Sequence, residues 1–153
     1  MPQNHNNNCS GDIKQLNLNG DVHHQIIGVA GVIVLNRPDA LNALTDEMVL
    51  SLHDIFIRWK DDPAVGHVVL SSSSSRAFCA GGDVRQVRAS IVAGNSHAAE
   101  LFFQREYLAI LAIAEFGKPI IALCDGVVMG AGAGLAQHST HIIMTEKTKF
   151  AMP

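Results

Sequence analysis

The sequence predicts a single α/β domain, and three observations lead there. Strand-like and helix-like segments come in the order strand, helix, strand, loop, helix, strand, helix, an α/β order. Two runs of small residues, Ala77–Asp83 and Met129–Gly134, each follow a strand-like segment, where a tight turn leads into a helix. The chain has 153 residues, 48% of them hydrophobic and 16% charged, which suffices for one buried core and excludes a wholly disordered chain.

The elements follow in order. Residues 1–23 read as a flexible N-terminal tail: six of the nine asparagines fall in the first twenty residues, and no apolar segment interrupts them. The folded domain is expected over 24–153. Ile26–Ile27 and Val32–Leu35, beside Gly28 and Gly31, read as strands of a hairpin. Asn36–Asp39 breaks the second strand. Met48, Leu52, Ile55, Phe56 and Trp59 recur at helical spacing behind Thr45 and Asp46, so a helix runs over Thr45–Lys60 until Asp61-Asp62-Pro63 stops it. Val68–Leu70 is a short buried strand, and the serines 71–75 read as a flexible polar loop. Asp83 caps a helix over Val84–Val92. A longer helix over His97–Phe116 carries an apolar stripe with Leu101, Phe102, Leu108, Leu111 and Ala112, and Gly117-Lys118-Pro119 ends it. Ile120–Leu123 is a buried strand, Gly126–Gly134 a small-residue run, and Ala131–His138 a short helix. Ile142–Thr145 and Thr148–Ala151 are two last strands, and the sequence stops at Pro153 with no helix to cover them, so a core truncated before its end is expected.

Composition narrows the function. Eleven basic and fourteen acidic residues give a net charge of −3 without a basic stripe, so no nucleic-acid partner is expected. No uninterrupted apolar stretch of membrane-spanning length exists, so no membrane partner is expected. Met1–Asp21 resembles neither a secretory signal nor an Arg-rich transit peptide. Cys9, Cys79 and Cys124 are an odd, sparse set that suits a reducing compartment. His23/His24 and His138/His141 lack a convincing third ligand, so no metal is expected.

The two small-residue loops are the candidates for chemistry. Each can present backbone N–H groups at a helix start, fixed in place before negative charge develops on an oxygen. The alternative is a pair of tight turns where glycine only relieves strain. A dinucleotide site fits the second loop poorly: after Gly130-Ala131-Gly132 the third glycine position holds Leu135. No Walker lysine follows either loop. Cys79 reads as a small hydrophobe, since no predicted base adjoins it. Glu106 shares a helical face with Phe103, Tyr107 and Ile110; a carboxylate on that partly apolar face needs a partner, and a nearby arginine or a helix-end contact would serve.

Asn36–Leu44, Ala77–Asp83 and Asp125–Gly134, in that order and spacing, resemble the crotonase (enoyl-CoA hydratase/isomerase) superfamily over about Val32–Pro153. Phe102–Tyr107, Lys118-Pro119 and Thr145–Pro153 resemble more narrowly its 3-hydroxyisobutyryl-CoA hydrolase branch, which acts in valine catabolism. The resemblance implies a spiral of ββα units forming a partial acyl-CoA-binding domain. It implies hydrolysis of an acyl-CoA thioester, with no cofactor beyond the coenzyme A of the substrate. The oxyanion-hole donors fall on the backbone N–H groups of Gly82 and Ala131; the family usually has glycine at the second position, and alanine keeps the N–H. Arg37, Ala40, Leu41, Ala80 and Asp83 fall on the coenzyme A contacts, with Arg37 able to reach a phosphate, and Glu106 on a substrate contact alongside Ala131. Hydratases of the superfamily carry a catalytic glutamate where this chain has Gly134, so enoyl hydration is not expected. The hydrolase's catalytic glutamate follows a Met-Pro matching Met152-Pro153, outside these residues. A catalytically inactive member that binds acyl-CoA or a partner, and an enzyme with another acyl-CoA reaction, stay open. So does a homo-oligomer. The resemblance implies a cytoplasmic setting in a bacterium and leaves mitochondrion or peroxisome open in a eukaryote.

Overall fold

The computed structural model describes residues 20–152; Cys9 and most of the tail expected over 1–23 lie outside them. Strand β1 (Val22–Ile27) pairs antiparallel with β2 (Ala30–Leu35), Val22 opposite Leu35. The folded chain thus starts ahead of the expected boundary, and Val22 and His23 are strand rather than tail. Val22 packs against the core, and Asn36 anchors the approach: its N–H donates to Asp21 O (2.8 Å) and its side-chain amide to Gly20 O (3.1 Å).

β3 (His67–Ser72), β5 (Ile120–Cys124) and β7 (His141–Met144) join β2 in parallel, giving a five-stranded sheet in the order β1-β2-β3-β5-β7. Three short strands, β4 (Ala77–Cys79), β6 (Val127–Met129) and β8 (Lys149–Ala151), form a second parallel sheet in that order. The chain alternates between the sheets: β3 leads to β4, β5 to β6 and β7 to β8, the ββα spiral the resemblance implied. Sequence reading placed β4 and β6 inside turns. Three-residue strands show no alternation of their own, and their pairing comes from distant segments. The serine run is not wholly a loop. Ser71 and Ser72 continue β3, and the Ser72 hydroxyl donates to Ala77 O (2.7 Å), tying β3 to β4.

Helix α1 (Asp46–Lys60) starts at Thr45, whose hydroxyl accepts from Met48 N–H (3.2 Å). It buries Met48, Val49, Leu52, Ile55, Phe56 and Trp59. At its other end Lys118 Nζ donates to Trp59 O (2.8 Å) and Asp62 O (2.6 Å), tying the end of the helix to the segment that leads into β5. Helix α2 (Val84–Val92) is capped by Asp83, and α3 (Ser96–Ala114) by Asn95. The inward face of α3 carries Ala99, Phe102, Ala109, Ala112 and Ile113; Leu108 and Leu111, expected inside, are 51% and 48% exposed. The helix is apolar around most of its circumference, so spacing alone did not decide which side turns in. Helix α4 (Ala131–Gln137) lies so close to β4 that a Cβ on Gly132 would stand 2.3 Å from Cys79 O; only glycine permits that approach.

Candidate functional site

Because β4 and β6 are parallel neighbours, the turns that follow them emerge side by side. A Cβ built on Gly81 (φ 109°) would lie 3.3 Å from Met129 O and 3.7 Å from Ala131 N. The first turn is held by the chain after β2: Ala80 N–H donates to Leu41 O (3.0 Å), Leu44 N–H to Gly81 O (2.8 Å) and Asp83 N–H to Leu44 O (2.8 Å). This ladder leaves out the Gly82 N–H. Among the described residues, the N–H groups of Gly82 and Ala131 donate to no protein acceptor. Two unpaired donors on adjacent rigid turns can hold one oxygen as it gains negative charge.

Helix α3 closes over the first turn. A Cβ on Gly82 would stand 3.0 Å from Glu106 Oε2 and 3.0 Å from the Phe102 ring, so glycine is what lets the carboxylate approach. Burial pushes the Glu106 carboxyl above the usual carboxylate range. It has no ion-pair partner among the described residues: the adjacent Arg105 turns to Asp46 on α1. Ile110, one turn along, faces the second loop, where a Cβ on Gly134 would meet Ile110 Cδ1 at 2.8 Å. Phe103 and Tyr107, grouped with Glu106 by spacing, are 45% and 69% exposed. Behind the turn, burial raises the Cys79 thiol to about 12, which keeps it un-ionised.

A cleft of about 350 Å³ opens beside Gly82 and brings together Arg37, Ala40, Leu41, Ala80 and Asp83; Ala131 and Glu106 do not line it. Arg37 is committed to the protein rather than to a phosphate. Its guanidinium pairs with Asp83 at 2.8 Å and donates to Ala43 O (2.9 Å). Asp83 is likewise occupied. Burial alone would raise its carboxyl, but the Gln86 N–H, the Arg37 guanidinium and the Arg85 N–H outweigh that and hold it below the usual range. The free cations of the cleft are Arg76 and Arg85, which line it and have no ion pair among the described residues. Sequence reasoning missed both; their only signal was a basic residue flanking each end of the Ala77–Asp83 run. It also passed over Asn42, fully buried with φ 54°. Asn42 Oδ1 accepts from Arg37 N–H (2.7 Å), and Nδ2 donates to Ser72 Oγ (2.6 Å), Phe78 O (3.1 Å) and Ala77 O (3.2 Å), binding the cleft's near wall to β4.

A family model described as enoyl-CoA hydratase/isomerase matches residues 30–153. The chain belongs to that family. It is similar to the family's 3-hydroxyisobutyryl-CoA hydrolase, mitochondrial, of Danio rerio, with 41% identity over 133 residues, covering 87% of this chain and 35% of the relative. The protein of the same description from Xenopus tropicalis is 44% identical over 126 residues, covering 82% of this chain and 32% of the relative. Among solved structures, an enoyl-CoA hydratase from Rhodobacter sphaeroides 2.4.1 superposes with a TM-score of 0.84 at 41% identity, covering 87% of this chain and 40% of that one. A carnitinyl-CoA dehydratase from Mycobacterium thermoresistibile superposes at 0.83 with 38% identity, covering 88% and 39%. The chain thus spans about a third of the length of the curated hydrolases it matches. Among the described residues of this family member, no helix is long and apolar enough to cross a membrane, and no cluster of metal-ligating side chains occurs.

Proposed function

We propose that this chain carries the acyl-CoA-binding and oxyanion-stabilising part of a thioester hydrolase acting on 3-hydroxyisobutyryl-CoA. The observation that carries the reading is the division of labour between Glu106 and position 134. Ile110 occupies the space a side chain at 134 would need, while the carboxylate beside the paired turns comes from α3 instead. That arrangement disfavours a hydratase-type acid at 134. In this reading the thioester oxygen rests between the N–H groups of Gly82 and Ala131. Glu106 accepts a hydrogen bond from the substrate hydroxyl, and the coenzyme runs past Ala40, Leu41 and Ala80. Arg76 and Arg85 take the role of phosphate contact that the resemblance implied for Arg37. Water activation falls to a carboxylate supplied beyond Pro153. The setting in this reading is the mitochondrion for a eukaryotic source and the cytoplasm for a bacterial one.

A binding-only reading is favoured by one fact: both site donors are backbone groups that stabilise charge without moving a proton. Titration with 3-hydroxyisobutyryl-CoA and crotonyl-CoA tests both readings. The polypeptide 1–153 binds the hydroxyacyl thioester saturably and releases no thiol. Joined after Pro153 to the corresponding C-terminal part of the Danio rerio relative, it hydrolyses that thioester and does not hydrate crotonyl-CoA. In the joined protein, Ala131→Pro removes the second donor and lowers kcat by about 10²–10³-fold, whereas Ala131→Gly keeps the N–H and the activity. Circular dichroism accompanies the kinetics to verify folding. Hydration of crotonyl-CoA, or normal turnover by a folded Ala131→Pro protein, would overturn the hydrolase reading; a folded joined protein that binds without turnover supports the binding-only one.

A further inference from the structure

Helix α3 is buried toward its two ends and not in its middle. Ala99 and Phe102 are buried in its first half, and Ala109, Ala112 and Ile113 in its second. From Phe103 to Leu108 no residue is buried, and the two that are half-buried are Arg105 and Glu106. Just before that stretch the packing of α1, α2 and α3 is incomplete. A hollow of about 80 Å³ lies between them, lined by Asp46 of α1, Gln86, Val87 and Ser90 of α2, and Ala98 and Phe102 of α3. Apolar packing therefore does not by itself fix where the middle of α3 sits.

An ion pair supplies what packing leaves open. The Arg105 guanidinium donates to Asp46 Oδ2, and the other oxygen, Asp46 Oδ1, is buried with no hydrogen-bond partner among the described residues. Asp46 is the first residue of α1. Two residues before it, Leu44 bridges to Gly82 and exchanges hydrogen bonds with the residues on either side of that glycine. Next to Arg105 stands Glu106, whose Oε2 lies 3.0 Å from the place of a Gly82 Cβ. The contacts close a ring that runs from Gly82 through Leu44, Asp46, Arg105 and Glu106 back to Gly82. Adjacent residues of a helix point about 100° apart, so fixing the bearing of Arg105 fixes that of Glu106. With 34% and 28% of the two side chains exposed, such a pair adds little to stability. Its consequence is where it aims the neighbouring carboxylate.

We propose that Arg105 and Asp46 are positioning residues: their ion pair holds the middle of α3 so that the Glu106 carboxylate stands over the Gly82 turn. The placement of Glu106 follows from these contacts alone. Only its effect on ligand choice rests on the reading of Glu106 as acceptor for the substrate hydroxyl.

The experiment is titration of the Glu106 carboxyl by carbon NMR, its signal assigned by its absence from Glu106→Gln, in the chain and in Arg105→Gln and Arg105→Lys. Burial beside the turn raises this carboxyl in the parent, and Cys79 behind the turn stays un-ionised in the same range. The sign of the change separates two roles. If Arg105 acted on Glu106 only through its charge, its loss would raise the carboxyl further. Loss of positioning lets the carboxylate turn into water and brings it down toward the ordinary value of about 4.3. The expected result is that fall in Arg105→Gln and a value like the parent's in Arg105→Lys. An unchanged or higher value in Arg105→Gln, with the parent's circular dichroism, overturns the proposal. Should Arg105→Gln fail to fold because Asp46 is stranded, Asp46→Asn/Arg105→Gln removes both charges together; the same fall is expected, and its absence overturns the proposal. Calorimetric titration with 3-hydroxyisobutyryl-CoA and isobutyryl-CoA then separates the proposal from the hydrolase reading. The parent is expected to prefer the hydroxyacyl thioester by at least about tenfold, the worth of one hydrogen bond to a charged group. Arg105→Gln is expected to lose that preference and to bind isobutyryl-CoA as the parent does. A parent without the preference sinks the hydroxyl contact of the hydrolase reading and leaves the positioning to stand or fall on the titration. A preference undiminished in Arg105→Gln overturns the positioning.

Discussion

Asn42 concentrates more structural consequence than any side chain singled out by sequence reasoning. Its amide makes four hydrogen bonds across three segments, and its backbone sits at φ 54°. Truncation removes the acceptor of the Arg37 N–H and the amide donor to the Ala77 and Phe78 carbonyls, and a non-glycine, non-asparagine residue pays for the left-handed backbone as well. Asn42→Ala is therefore expected to destabilise the fold by about 3–5 kcal/mol. Asn42→Gly, free of the backbone cost, should lose about 1 kcal/mol less. Urea midpoints of the two variants check this, and an alanine variant within 1 kcal/mol of the parent would refute the assigned role. In the sequence Asn42 was only one position in the Asn36–Leu44 motif. Its importance depends on Ser72, Ala77 and Phe78, more than thirty residues away, arriving at the same place.

Helices were legible where their signals were local. Thr45 and Asp83 cap the helices they precede, and the Met48–Trp59 spacing picked the buried face of α1. The short strands β4 and β6 were not, since nothing within three residues announces a partner fifty positions along the chain. The paired turns of Gly82 and Ala131 follow from those strands, so composition alone left open whether they were only tight turns; the family resemblance named the residues. The cap of α2 also has a pH signature. Asp83 is held below the usual carboxylate range in the folded state, so the folded form binds fewer protons than the unfolded one in acid. The stabilisation is whole above the unfolded value of about 3.9 and is lost as pH falls through the lower folded value. Asp83→Asn keeps a capping oxygen and loses the charge opposite Arg37. The variant should be less stable near neutrality by about 1 kcal/mol, a figure limited by solvent screening of the Arg37 pair. The two proteins should converge toward pH 2, as followed by urea unfolding across the acid range. A constant gap down to the lowest pH would place the effect elsewhere.

At the scale of the whole molecule, one edge of the large sheet is open among the described residues. β7 forms its edge, and Ile142, Ile143 and Met144 are 39%, 53% and 49% exposed. An apolar strand with unpaired backbone groups is a template for association. Sedimentation of the described chain is expected to show concentration-dependent self-association. Ile143→Lys should shift it toward monomer, because a charge on an edge strand opposes pairing. A monodisperse monomer at all concentrations would contradict this. The alternation of strands between two sheets has a further consequence for motion. β4 meets β6, and β6 meets β8, only after the chain has detoured through the large sheet and a helix or turn. The turns bearing Gly82 and Ala131 therefore have no stability of their own and cannot swing open as a hinged flap. Amide hydrogens at Val127 and Val128 should exchange with solvent no faster than global unfolding allows, while α2, with Val87 as its one buried residue, is free to breathe. Any gating of this site belongs to α2, and the floor beneath it stays rigid until the whole domain unfolds.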